Sequence, residues 1–151
     1  DYCFVCGLRN PISLKIPTKT SINGNTCTFS WTPGPHFQSY AGVLHGGILS
    51  TLLDEAMGYA IMGENLCRLI VTAEMKVKFL RPAPIGIPIT VAATVSGQKR
   101  NHIFARGSVI SQDGTVLAEA EGHFVELINK DLSTAQTENN TKENIVGCSH
   151  C

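Results

Sequence analysis

Hydrophobic and polar positions change their spacing along this chain, and each change predicts a different element. Between Gly46 and about Met62 the chain has no proline, and its apolar residues recur at the spacing of a helix. These positions cover most of the helix circumference, so we expect the helix to be largely buried. They are Ile48, Leu49, Leu52, Leu53, Ala56, Met57 and Ala60.

The segments on either side of this helix alternate with a period of two, which is typical of strands with one buried face. A short run, Thr26–Trp31, precedes the helix, and four runs follow it at about 71–79, 87–95, 103–110 and 116–125. Short connections predict that these four strands are antiparallel and form a meander. A single buried helix needs a sheet wrapped around it, so the predicted fold class is α+β.

The length of 151 residues fits one domain. We expect this domain to occupy residues 1–128, with an irregular stretch over the first 25 residues. Residues 129–151 are polar and are expected to form a tail. Cys148 and Cys151 are candidates for tethering that tail.

Composition excludes several classes of protein. Hydrophobic residues make up 43% of the chain and charged residues 16%, whereas a disordered chain would be more charged and less apolar. We expect no membrane span, because no uncharged apolar run reaches about 18 residues. The formal net charge is zero, which argues against a general nucleic-acid binder.

The first residues and the cysteine count bear on the compartment. The chain begins with neither the basic segment nor the long apolar segment of a secretory signal. Six cysteines are too few for a small disulfide-rich scaffold. We therefore expect a cytoplasmic protein with reduced thiols.

The zero net charge is a sum of unequal parts. Residues 68–106 hold seven basic side chains and one acidic side chain, whereas residues 107–151 hold two basic and seven acidic side chains. The basic surplus therefore falls on the strands after the helix, which leaves room for an anionic ligand there.

The start of the predicted helix is the most informative stretch for chemistry. Gly46 and Gly47 cost backbone entropy there, and a helix N-terminus offers unpaired N–H groups that suit an oxyanion. Asp54 lies on the same face as Gly47 but about 10 Å further along the axis, so one substrate carbonyl cannot easily touch both. Two antiparallel helices across a twofold axis would solve this, which predicts a homodimer with two shared sites.

The stretch His45-Gly46-Gly47, followed by six residues and then Asp54-Glu55, resembles the hotdog-fold acyl-CoA thioesterases of the phenylacetate-pathway type. The resemblance covers about residues 2–126. It implies an antiparallel sheet wrapped around one long central helix, and it implies hydrolysis of a CoA thioester to a free acid and CoA. The other matching segments are Cys3-Phe4-Val5-Cys6-Gly7, Asn10-Pro11, Phe79-Leu80-Arg81-Pro82 and residues 114–120.

The same resemblance assigns catalytic roles. The backbone N–H of Gly47 matches the donor to the thioester oxygen. Asp54 stands at the position of the family's nucleophile or general base. Thr72 matches an assisting hydroxyl, and His45 matches a residue that orders the loop and contacts the substrate. Alternation places Thr72 and Ala73 on opposite faces of their strand, and the sequence leaves open which face meets the site.

We expect Gly46, Glu55 and one of the pair Gln38 and Ser39 to bind the substrate. Relatives often have glycine at the Ser39 position, and others carry an amide side chain near it that polarises the carbonyl. Glu55 also has a purely structural alternative as a neighbour of Asp54.

The expected partners are an acyl-CoA substrate and further copies of the chain, as a dimer or a dimer of dimers. CoA phosphates need cations. The candidates are Arg81, Lys99 and Arg100, together with Arg106, Lys76 and Lys78.

The two ends of the chain raise the question of a metal. Cys3 and Cys6 open the chain, and Cys148 and Cys151 close it, each pair with two residues between. Two such pairs are typical of a structural zinc site, which would hold the polar tail. Disulfides and free thiols are the alternatives. Four thiolates would leave no open position on the ion, so we expect that catalysis requires no cofactor.

Two other functions remain open at this point. A non-catalytic acyl-CoA sensor would keep Arg81 and the apolar groove without needing Asp54. A hydratase or dehydratase of the same fold would use a His and Glu pair, for which His36 and Glu55 are the candidates. Their spacing is too long for that pair, and such enzymes lack the His-Gly-Gly stretch.

Overall fold

In a computed structural model of the chain, the structure describes residues 2–17, 21–65 and 67–127. The predicted tail at 129–151, with Cys148 and Cys151, lies outside the described residues. The helix α1 spans Gly46–Met62, as predicted. A short 3₁₀ helix, Pro35–Phe37, precedes it. The strands are β1 (Ser21–Asn23), β2 (Thr26–Trp31), β3 (Ile70–Phe79), β4 (Ile89–Lys99), β5 (His102–Ile110) and β6 (Val116–Glu126).

The six strands form one antiparallel sheet in the order β1-β2-β4-β5-β6-β3, and α1 packs on its inner face. The predicted α+β class is confirmed, with one long helix against a single sheet. None of the helices in the described ranges is long and apolar enough to cross a membrane.

The prediction of a four-stranded meander is wrong at one connection. Strands β4, β5 and β6 do follow one another, but β3 lies at the far edge and pairs with β6. Residues 80–88 carry the chain from that edge to β4 across the end of the sheet where α1 begins. Their backbone N–H groups bond in turn to the carbonyl oxygens of Leu117, Gly42 and Pro33. Pro82 and Pro84 favour extended backbone over a tight hairpin, which explains the crossing.

The first 25 residues contain one strand that the pattern did not predict. Ser21–Asn23 pairs with the start of β2 through a turn at Gly24, whose φ is 56°. Only glycine adopts this φ readily, so Gly24 allows the hairpin. Strand β4 also runs four residues beyond its predicted end, because a bulge between Val95 and Gly97 interrupts the alternation there.

Small residues on the inner face of the sheet let α1 lie close to it. A Cβ on Gly107 would approach Leu53 Cδ2 to 3.1 Å, and a Cβ on Gly122 would approach Met57 Cε to 3.0 Å. Leu53 and Met57 are fully buried, so the helix leaves no room for a larger side chain at either glycine. The other small residues of this inner face are Ala93, Ala105, Ala118 and Ala120.

A β-bulge in β3 decides which way Thr72 points. Thr72 pairs with Phe124, whereas Glu74 pairs with His123, so Ala73 is the extra residue. Phe124 is buried on the inner face. Directly paired residues share a face of the sheet, so Thr72 points toward α1. Uninterrupted alternation would have placed it on the outer face with Glu74.

Gly122→Ala should destabilise the protein by about 1–3 kcal/mol, because the added methyl group overpacks the core. Its Cβ would lie 2.6 Å from Phe124 Cε2. Urea unfolding followed by circular dichroism measures the change. The matched control is Gly97→Ala, since a Cβ there has no neighbour within 4 Å. Equal unfolding free energies for the two variants would contradict the close approach of helix and sheet.

Candidate active site

The imidazole of His45 caps the start of α1. His45 has extended backbone, and its Nδ1 accepts a hydrogen bond from the Gly47 N–H at 2.9 Å. Its carbonyl oxygen accepts the next two N–H groups, from Ile48 and Leu49. No described residue accepts a hydrogen bond from the Gly46 N–H. The helix start therefore keeps an open donor at Gly46, while the donor at Gly47 is occupied.

Three contacts hold this helix start in place. The His45 N–H donates to the Phe37 carbonyl, and the Leu44 N–H donates to the Ala83 carbonyl in the crossing connection. The ring of Phe79, at the end of β3, lies against Gly46, where a Cβ would be 3.4 Å from the ring. Phe79 belongs to the segment Phe79-Leu80-Arg81-Pro82 that carries part of the family resemblance, but nothing in the sequence predicts its contact with Gly46.

Asp54 and Thr72 form the second half of the site. The Thr72 hydroxyl donates to Asp54 Oδ1 at 2.8 Å. The bulge at Ala73 makes this contact possible, because it turns Thr72 toward the helix. Asp54 is half-buried and Thr72 is exposed, so the pair is open to a ligand.

The two halves do not meet within one chain. Asp54 lies eight residues after Gly46, which corresponds to about 12 Å along the helix axis. A thioester carbonyl bound at the Gly46 N–H would be too far from the carboxylate of the same helix. The geometry thus reproduces the separation that the sequence predicted for one protomer.

Glu55 points to a different part of the molecule from its neighbour Asp54. Its Oε1 lies 4.0 Å from Cys3 Sγ. Burial raises the pKa of the Glu55 carboxyl, hydrogen bonding to the Cys6 thiol lowers it, and the charge of Asp54 adds to the rise. The structure therefore brings Cys3 and Cys6 to Glu55. It does not bring Glu55 to the pair formed by Asp54 and Thr72.

Gln38 and Ser39 both brace the loop that leads into α1. The Gln38 Oε1 accepts the Gly42 N–H at 3.2 Å, and the Ser39 hydroxyl donates to the Val43 carbonyl at 3.4 Å. Gln38 also pairs with Leu44, two residues before Gly46. Both candidates lie in the right loop, and the choice between them stays open.

The predicted phosphate-binding cations do not form one cluster in the protomer. Arg81 lies at the end where α1 begins, since its N–H bonds to Leu117 in the crossing connection. Lys99 and Arg100 form the turn after β4, about 33 Å away along that strand.

The other basic residues of this stretch lie beside carboxylates. Arg106 is 3.4 Å from Glu121, and Arg68 is 2.8 Å from Glu126. Lys76 pairs with Glu121 and Lys78 with Glu119 across adjacent strands. A groove of about 590 Å³ on the outer face of the sheet is lined by these mixed charges, away from Asp54. Of the predicted set, Arg81 is the residue whose backbone the structure places in the crossing connection at the end where α1 begins.

Comparison with known proteins gives consistent matches. Residues 41–118 match the family model described as thioesterase superfamily. The acyl-coenzyme A thioesterase THEM4 of Bos taurus is 30% identical over 102 residues, which cover 67% of this chain and 41% of that protein. The chain thus spans less than half the length of this relative.

Solved structures show the same architecture. The conserved protein PA5202 from Pseudomonas aeruginosa is 27% identical, with a TM-score of 0.65 over 71% of this chain and 85% of that one. A hypothetical thioesterase from Streptococcus pneumoniae TIGR4, solved with coenzyme A, is 19% identical, with a TM-score of 0.66 over 71% and 82%. The predicted hotdog fold is therefore confirmed.

Proposed function

The chain belongs to the thioesterase superfamily, and on that basis we propose that it hydrolyses an acyl-CoA thioester to a free acid and CoA. The observation that carries this proposal is the hydrogen bond from Thr72 to Asp54, on the helix that starts with an open N–H donor. Acyl transfer to water requires a carboxylate held in place and an oxyanion donor, and a second copy of the chain would bring these two groups together.

In the proposed reaction, Asp54 accepts a proton from a water molecule whose oxygen attacks the thioester carbonyl carbon. The C–S bond then breaks, and the CoA sulfur leaves as a thiolate that takes up a proton. Direct attack by the Asp54 carboxylate is the alternative, with an acid anhydride that water then cleaves. Thr72 engages Oδ1, and no donor among the described residues engages Oδ2, so Oδ2 is the oxygen that faces the water or the thioester.

The proposed oxyanion donor is the backbone of the helix start. Gly46 needs no rearrangement, because its N–H has no acceptor among the described residues. Gly47, which the family resemblance assigns, would first have to release the His45 imidazole. We therefore assign Gly46 the donor role and His45 the role of ordering the turn that presents it.

The proposed active unit is a dimer. Strand β3 is an edge strand of ten residues, whereas the opposite edge strand, β1, has three. Val71 and Phe79 on β3 are 42% and 56% exposed. A long edge with exposed apolar residues suits pairing with a second copy. In this dimer, Gly46 of one protomer completes the site around Asp54 of its partner. The dimer of dimers and the cytoplasmic location stay predictions.

The proposed substrate class rests on the relatives. The THEM4 relative is named for acyl-coenzyme A, and the Streptococcus pneumoniae structure contains coenzyme A. Arg81 is the cation best placed to bind a CoA phosphate near the helix start.

Asp54→Asn should lower turnover of acyl-CoA by about 10²- to 10⁴-fold while substrate binding is retained, because the amide cannot accept the proton from water. Thr72→Val should cost roughly 10- to 100-fold through loss of one hydrogen bond to a charged group. Thiol release from a panel of aliphatic and aromatic acyl-CoAs measures both effects, and calorimetry measures binding.

The control for these variants is Glu64→Gln, which removes an exposed carboxylate just after α1 and should leave turnover unchanged. Undiminished hydrolysis by Asp54→Asn would refute the mechanism. A wild-type protein that binds acyl-CoA and releases no thiol would identify a sensor instead.

Gly46→Pro should abolish the oxyanion contact and lower kcat by about 10²- to 10³-fold, because proline has no N–H. Proline is tolerated at the first helical position, and the extended backbone of His45 is what a residue before proline adopts. Gly46→Ala is the matched control, since it keeps the N–H and adds a Cβ 3.4 Å from the Phe79 ring. Equal activities of these two variants would exclude Gly46 as the donor.

Mixed dimers should regain activity if the site is shared. A dimer with Asp54→Asn in one protomer and Gly46→Pro in the other would contain one intact site. Tandem-tag purification of co-expressed chains isolates this dimer, and it should reach about half of the wild-type activity. A mixed dimer as inactive as its parents would place each site within a single chain.

A further inference from the structure

The N-terminal segment brings two thiols to a carboxylate that the proposed reaction does not use. One ligand atom each from Cys3, Cys6 and Glu55 all lie within 4.8 Å of one another. Within the described ranges this is the one group of three or more potential metal-binding side chains at such distances. Cys6 is fully buried, and the other two residues are half-buried.

The turn that carries both thiols is built with a fixed geometry. The Val5 N–H points at Cys3 Sγ at 3.3 Å, and the Gly7 N–H donates to the Cys3 carbonyl at 3.0 Å. A Cβ on Gly7 would lie 2.5 Å from backbone atoms of Cys3, so only glycine fits the turn.

Side chains of Ser13 and Lys15, which follow this turn, bond to its backbone and hold the turn in place. The Lys15 ammonium donates to the carbonyl oxygens of Gly7, Leu8 and Asn10 at 2.7 to 2.8 Å. The Ser13 hydroxyl donates to the Val5 carbonyl at 3.2 Å. The two sulfur positions are therefore preorganised before any ion binds.

Glu55 has no cationic partner among the residues that the structure describes. No ion pair to Glu55 is formed by the described residues, and its neighbours are thiols. A half-buried carboxylate gains from a compensating charge, and a divalent ion between Glu55 and the two sulfurs would supply that charge.

We propose that Cys3, Cys6 and Glu55 bind one divalent ion of the zinc class. Zinc takes thiolate sulfur at about 2.3 Å and carboxylate oxygen at about 2.0 Å, which places sulfur and oxygen about 3.5 Å apart in a tetrahedron. The observed 4.0 Å between Cys3 Sγ and Glu55 Oε1 is half an ångström longer, within reach of a side-chain adjustment. Water fills the fourth position.

The ion joins the N-terminal segment to α1. Asp54 and Glu55 are successive residues and project from the helix about 100° apart. The metal therefore lies beside the catalytic face and not on it. Its role is to fix the segment and the orientation of the helix, separately from the reaction at Asp54.

The proposed ligand set differs from the four cysteines that the sequence predicted, and an experiment on the full chain separates the two. Metal-free protein is titrated with Co²⁺, and thiolate-to-cobalt charge-transfer absorption reports binding. Wild type should bind one equivalent, and Cys3→Ser/Cys6→Ser should lose the charge-transfer band. Glu55→Gln, which has nearly the same shape, should weaken binding by more than about tenfold. The matched double variant Cys148→Ser/Cys151→Ser should bind as wild type does.

Three results would overturn the proposal. The first is no charge-transfer band in wild type. The second is loss of the band in Cys148→Ser/Cys151→Ser with normal binding by Glu55→Gln, which would establish the four-cysteine site. The third is a disulfide between Cys3 and Cys6 in protein purified under reducing conditions, seen as a peptide containing both residues that is two hydrogen atoms lighter than its reduced form. Thermal unfolding with and without Zn²⁺ gives a second readout, since Zn²⁺ should raise Tm more in wild type than in Glu55→Gln.

Discussion

The close contact between α1 and the inner face of the sheet decides where each functional group lies. Gly107 and Gly122 admit Leu53 and Met57, which brings the helix down onto β5 and β6. Because one face of α1 is fixed against the sheet, the side of the helix that carries Asp54 faces the edge strand β3. The site is therefore built at an open edge of the protomer, where the proposed dimer would bring the Gly46 N–H of a second copy to Asp54.

Hydrophobic periodicity predicted the helix and five of the strands, because apolar residues recur at the positions whose side chains are buried in the core. It could not predict the face of Thr72, since nothing in the residues at 71–74 distinguishes a bulged strand from a regular one. It also could not predict that β3 leaves the meander, because the order of strands depends on which edges remain free once β4, β5 and β6 have paired. Pro82 and Pro84 mark the end of β3 and favour extended backbone, but they leave the destination of the chain undetermined.

Charge along the chain proved a poor guide to charge on the surface. Several basic residues of 68–106 lie on β3 and β5, and Glu119, Glu121 and Glu126 lie on β6 between these two strands. Glu121 then lies between Lys76 and Arg106, and Glu126 pairs with Arg68. Antiparallel pairing thus places basic side chains of β3 and β5 and acidic side chains of β6 on one mixed surface. Arg81 lies outside these rows, in the crossing connection at the end where α1 begins.

Asp54 and Glu55 show how one helix can serve two purposes with adjacent residues. Because the helix turns about 100° per residue, one carboxylate meets Thr72 on β3 while the next meets Cys3 in the N-terminal segment. The two side chains share one peptide bond, so a force that fixes Glu55 also limits how Asp54 moves. The sequence resemblance placed Cys3 and Asp54 in separate motifs, more than fifty residues apart. In the fold, Cys3 contacts Glu55, which is the residue next to Asp54 on α1. Order in the N-terminal segment therefore contributes to order at the proposed catalytic carboxylate.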